Sequence, residues 1–68
     1  MSRLDVLTPR EREVAIKIAQ GCSAQEVAQA LGISRQTVRL HLRACYRKLG
    51  LVRVGQLVRA VLKADPSL

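Results

Sequence analysis

"GCSAQEVAQALGISRQTVRLHLRACYRKLG" (residues 21–50) holds two helix starts, each closed by a glycine, and its reading decides the fold. Ser23 with Glu26 three residues later is a capping box, in which each residue satisfies an orphan donor of the other. Gly32 supplies the left-handed residue that ends a helix of about two turns, with Val27, Ala28 and Leu31 facing inward. Ser34 is the next N-cap, so only Gly32, Ile33 and Ser34 connect the two helices. A connection that short makes them cross steeply rather than lie side by side, which is a helix-turn-helix. Gly50 ends the second of the pair.

The same signals recur outward. In "LTPRERE" Thr8 is an N-cap, Pro9 suits the first helical position and Glu11 completes another capping box. That helix runs to about Gln20, with Val14, Ala15, Ile18 and Ala19 as its inward stripe. Downstream, Val54, Leu57, Val58, Val61 and Leu62 fall at the spacing of an amphipathic helix. No stretch alternates apolar and polar residues with period two. The expectation is therefore an all-α chain with helices at about 9–20, 24–31, 35–49 and 54–64. It forms one domain over 1–68 with its core between about 7 and 64 and frayed ends at Met1–Asp5 and Asp65–Leu68.

With 68 residues the chain has room for one modest core. Twelve Lys and Arg against five Asp and Glu give a formal charge of +7, which favours polyanionic partners or an anionic membrane surface. The distribution is uneven: no acid occurs between Glu26 and Asp65. Two cysteines are too few for a disulfide scaffold, and with no apolar leader a reducing cytoplasm is the expected compartment. The apolar runs are far shorter than the roughly 20 residues a membrane-spanning helix needs.

Residues placed about 100° apart on the third helix put Val38, Leu42, Cys45 and Leu49 in one narrow, buried sector. The opposite sector carries Gln36, Leu40, Arg43 and Arg47, with Arg39 on its flank. These side chains have the length to reach bases and phosphates from a helix lying in a major groove, and an arginine fork matches O6 and N7 of guanine. A solvated face serving solubility is the alternative. It fits poorly, because solubility is usually served by both signs interspersed.

In "LTPREREV", "GCSAQEVAQALGIS", "TVRLHL", "KLG" and Gln56, in this order and spacing, the chain resembles the LuxR-type (GerE-like) helix-turn-helix domain of bacterial transcription regulators over about residues 7–64. The resemblance implies a domain that binds double-stranded DNA with its third helix in the major groove and dimerises through its fourth. It implies base-edge roles for Arg39, Leu40 and Arg43, and backbone roles for Ser23, Thr37, His41 and Lys48. Gln36 joins the first set by its sector; Ser34, Arg35 and Arg47 join the second. Val54, Leu57, Val58, Val61 and Leu62 become the expected homodimer contact on a near-palindromic site, and RNA polymerase a further expected partner. Related regulators often carry a receiver or ligand-binding domain ahead of this one. Two departures stand out: Gln25 replaces a usual basic residue, and Arg53, Val54 and Gly55 replace the polar cap and Arg that normally open the fourth helix.

His41, the only histidine, lacks the closely spaced partners of a zinc site, and no enzymatic role, metal or cofactor is expected. It reads as an imidazole at the core edge that reaches a phosphate. Cys45 reads as a buried hydrophobe and Cys22 as more accessible. Tyr46, the only aromatic, reads as a boundary packing residue. Two rival readings are a promoter-binding region like that of a sigma factor, and a protein-binding adaptor that keeps the fold. "KLG" followed by a full amphipathic fourth helix argues against the first.

Overall fold

In the computed structural model, which describes residues 3–65, helix boundaries follow from side chains that satisfy free backbone groups. A 3-10 turn at Arg3–Val6 precedes α1 (Pro9–Ala19), α2 (Ala24–Leu31), α3 (Arg35–Leu49) and α4 (Val54–Ala64). There is no strand among the described residues. The all-α expectation holds. Thr8 and Glu11 form the first capping box, with Glu11 N–H donating to Thr8 Oγ1 at 3.2 Å and Thr8 N–H donating to Glu11 Oε1 at 3.0 Å. Ser23 and Glu26 repeat it at 3.1 and 2.8 Å. Each such cap stabilises its helix by about 1 kcal/mol. Gly32 (φ 67°) and Gly50 (φ 70°) close α2 and α3 in the left-handed region, where a side chain would be strained.

The start of α4 is the exception. Arg53 is the N-cap but its side chain carries no acceptor; Gln56 Oε1 instead reaches back to the N–H groups of Val52 and Arg53, at 2.9 and 3.1 Å. This is half of a capping box, more than "LVRVGQ" leads one to expect, because Gln56 sits three residues after the cap.

Two apolar clusters form the core. Val14, Val27, Ala28 and Val38 hold α1, α2 and the first half of α3 together. Leu4, Leu7, Ala15, Cys45, Leu49, Leu57 and Val61 join the 3-10 turn, α1, the end of α3 and α4. Ile18 and Leu42 pack against both, so α3 runs across the molecule on a continuous floor with α1 behind it.

The amino-terminal boundary needs correction. Leu4 is buried, and Leu7 N–H bonds Leu4 C=O at 3.1 Å, so the core begins before residue 7. Residues 3 to 5 belong to the 3-10 turn, because leucines three apart lie on one side of it. Met1, Ser2 and Pro66–Leu68, also expected to fray, lie outside the described residues.

Candidate nucleic-acid interface

The reading helix is positioned at both ends. At its start, Ser34 Oγ accepts the Thr37 N–H at 3.0 Å and lies 2.8 Å from Thr37 Oγ1. At its end, Lys48 Nζ donates to Glu11 Oε1 at 2.8 Å, while Cys45 Sγ contacts Glu11 C=O at 3.5 Å. Glu11 therefore ties the first turn of α1 to the last turns of α3. Its pairing with Lys48 and the Thr8 N–H holds its carboxyl below the ordinary glutamate value. Burial, reinforced by the Glu11 charge, pushes the Cys45 thiol up to about 11, so it stays protonated and packs as a hydrophobe. Desolvation, followed by the effect of Cys45, raises the pKa of half-buried Tyr46.

Arg35, Gln36, Arg39, Leu40 and Arg43 line a single shallow depression on the outer face of α3. All five are exposed, and Arg47 is exposed one turn further on. No ion pair among the described residues involves any of these arginines. Four of the five acids are occupied elsewhere: Asp5 with Arg12, Glu13 with Arg10, Glu11 with Lys48, and Glu26 in the Ser23 capping box. Among the described residues no acid pairs with this face, and its positive field extends furthest at low ionic strength.

The remaining expected DNA-contacting residues are distributed as follows. Ser23 and Ser34 are exposed at the N-termini of α2 and α3, and Thr37 and His41 are half-buried along α3. Lys48 does not extend freely toward solvent; its ammonium is held by Glu11, with its side chain 31% exposed. Nothing in the local sequence of α3 announces this. The clue lay in α1, where Glu11 shares the inward stripe of Val14, Ala15 and Ile18, an odd place for a carboxylate without a cation.

The five α4 residues expected at a dimer contact divide between two faces. Leu57 and Val61 are fully enclosed by their own chain, so neither is available to a partner. Val54 and Leu62 are exposed and Val58 is half-buried. Gly55, Val58, Arg59, Leu62 and Lys63 line a groove on this outer face. Val54, Val58 and Leu62, four apart, form one row and Leu57 and Val61 the adjacent one, so a wide apolar stripe holds two rows of which the core covers only the second. Arg59 and Lys63, which flank the groove, were not singled out in the sequence.

An exposed, uncompensated cationic helix that is second in a helix-turn-helix defines a DNA-binding domain of that type. Residues 5–61 match the GerE family, bacterial regulatory proteins of the luxR family. The chain belongs to this family of bacterial transcription regulators and is its helix-turn-helix DNA-binding domain. It is 46% identical over 57 residues to the transcriptional regulatory protein UhpA of Escherichia coli (strain K12), covering 84% of this chain and 29% of UhpA. To the transcriptional regulatory protein TdiR of Thauera aromatica it is 40% identical over 62 residues, 91% of this chain and 27% of TdiR. To the nitrate/nitrite response regulator protein NarP of Escherichia coli (strain K12) it is 48% identical over 46 residues, 68% of this chain and 21% of NarP. The chain thus spans less than a third of the length of these relatives. No solved structure matches it significantly. No helix among the described residues is long and apolar enough to cross a membrane.

Proposed function

We propose that this domain binds a specific duplex DNA site in the bacterial cytoplasm, at the nucleoid, and regulates transcription there without any catalytic role of its own. The observation that carries this reading is the depression on α3, where three arginines, a glutamine and a leucine meet with no acid paired to them among the described residues. Arg39, Arg43, Gln36 and Leu40 meet base edges in the major groove, the arginines by bidentate bonds to guanine. Ser23, Ser34, Arg35, Thr37, His41 and Arg47 meet the phosphates. Ser23 and Ser34 use their oxygens as caps; Ser23 keeps its hydroxyl proton to donate, and Ser34 and Thr37, which share one hydroxyl–hydroxyl bond, keep one proton between them, where the helix N-terminus already favours an anion. Lys48 is kept out of this set, because a phosphate contact would require it to abandon Glu11.

In this reading two copies meet on a near-palindromic site through the row Val54, Val58 and Leu62. The groove is much smaller than the 20–30 residues a side of a standard interface. Dimerisation is therefore driven by neighbouring half-sites that hold two copies together, which raises their effective concentration. RNA polymerase contact follows as a property of the assembled regulator.

Selection of a site from random duplexes, followed by titration of Arg43→Ala across salt concentrations, tests the reading. The expected loss is about 1 to 3 kcal/mol on the selected site, with nonspecific binding largely spared. If no duplex is preferred, or Arg43→Ala binds as the parent does, the cationic face serves another purpose and the adaptor reading replaces this one.

A further inference from the structure

On the outer face of α4, Val54, Val58 and Leu62 pack with neither core cluster among the described residues, and Val54 and Leu62 are well exposed. With successive residues about 100° apart, Val58, Leu62, Gly55, Arg59 and Lys63 follow one another around the helix. The groove they line therefore runs from an apolar side to a cationic edge. Gly55 has no positive φ, unlike the three turn glycines, and a Cβ there would meet no atom within 4 Å. Nothing among the described residues requires a glycine at this position, although glycine weakens a helix relative to alanine. What it provides is room for another backbone to come close to α4.

The charge of the groove says which backbone. Helix α4 carries no acid, and no ion pair among the described residues involves Arg59 or Lys63. Asp65, just past the helix, lines a different depression with Leu4 and Arg12. A second copy seated here would set Arg59 and Lys63 against their own kind, a repulsion that neighbouring half-sites offset only on DNA. An anionic lipid surface would match the charges but gain nothing from a glycine notch.

We propose that the outer groove of α4 docks an acidic amphipathic helix of a partner protein. Its apolar row packs on Val58 and Leu62, its backbone crosses at Gly55, and its carboxylates pair with Arg59 and Lys63. From Gly55 to Lys63 the groove is about 12 Å long, at a rise of about 1.5 Å per residue, so a partner helix of about three turns fills it. The proposal does not rest on α3 reading DNA. A helix so seated covers Val58 and Leu62, so it and a second copy exclude one another.

The probe is a stapled helical peptide of about three turns, with leucines along one face and glutamates beside them. Its controls are a scrambled peptide of the same composition and a copy with lysine for glutamate. Binding is followed without DNA by NMR of the isotope-labelled domain. Amide shifts should centre on Gly55, Val58, Arg59 and Leu62 rather than on Arg39 and Arg43. Both controls should bind about tenfold more weakly, because each lacks either the apolar row or the ion pairs. Arg59→Glu combined with Lys63→Glu should lose the acidic peptide and gain the lysine peptide. Gly55→Ala should melt higher than the parent, since its methyl meets open space and alanine favours a helix. The same variant should bind the acidic peptide about fivefold more weakly, because the notch is filled.

Shifts confined to α3, equal binding of the scrambled peptide, or a Gly55→Ala domain that binds as the parent does would each overturn the proposal. Phosphatidylglycerol vesicles that shift the α4 residues where the peptide does not would put a lipid surface in the groove instead. Shifts on α4 that follow the concentration of the domain alone would put a second copy there.

Discussion

Glu11→Gln and Lys48→Met, made singly and together, measure the link between the first turn of α1 and the end of the reading helix. The bond is 2.8 Å long, with the two side chains 31% (Lys48) and 10% (Glu11) exposed. Fully exposed pairs contribute about 0.2–1 kcal/mol and charge-assisted bonds about 1.5–3 kcal/mol. Because Lys48 is close to a third exposed and the same carboxylate oxygen also accepts the Thr8 N–H, solvent screening and sharing bring the expected coupling to about 1 kcal/mol. Gln keeps an oxygen for Thr8 and removes only the charge; Met keeps most of the lysine stem. Thermal unfolding followed by circular dichroism should show each single variant lowered by about 4–8 °C, the shift for about 1 kcal/mol in a domain this size. The double variant should fall short of the sum. The folded-state pKa of Glu11 is lowered, so this stability is fully present above the ordinary glutamate value of about 4.3. It is lost as the pH falls through the lower folded-state value. The coupling should therefore be intact at pH 7 and fade at the acid end. Additivity within about 0.3 kcal/mol at pH 7, or an unchanged coupling once Glu11 is protonated, would refute the strut.

Ser34→Ala should cost about 1 kcal/mol through loss of the α3 cap. Ser34→Asp should restore the melting temperature, since aspartate caps as well, but weaken DNA binding by adding an anion near the phosphates. Val58→Glu should leave the fold intact and reduce two-copy occupancy of a selected site in gel shifts. Leu57→Glu, which places a charge where the core is closed, should unfold the domain; a folded Leu57→Glu would mean the α4 faces are misassigned. A thiol reagent should label half-buried Cys22 before buried Cys45, with Cys45 following on unfolding because its thiol is protonated and enclosed. Comparable native rates, read by peptide mass spectrometry, would contradict the burial of α3.

The sequence by itself determined the helices and the turn between α2 and α3. Those are local: a Ser or Thr oxygen, a Glu three residues on and a terminal glycine act within a few residues of one another. It also determined which side of α3 is buried, since Val38, Cys45 and Leu49 share one sector at helical spacing and the structure encloses them. Only the tertiary structure decided the rest. Glu11 and Lys48 are 37 residues apart; a carboxylate on the inward stripe of α1 calls for a cation, but neither segment indicates that Lys48 supplies it. The division of α4 into Leu57 and Val61 within, and Val54, Val58 and Leu62 without, depends on how far α1 and α3 reach around it, which periodicity alone leaves open. The seat of Leu4 is a third case: Leu4 is buried where the 3-10 turn meets α1, α3 and α4, and that junction exists only after the helices have packed.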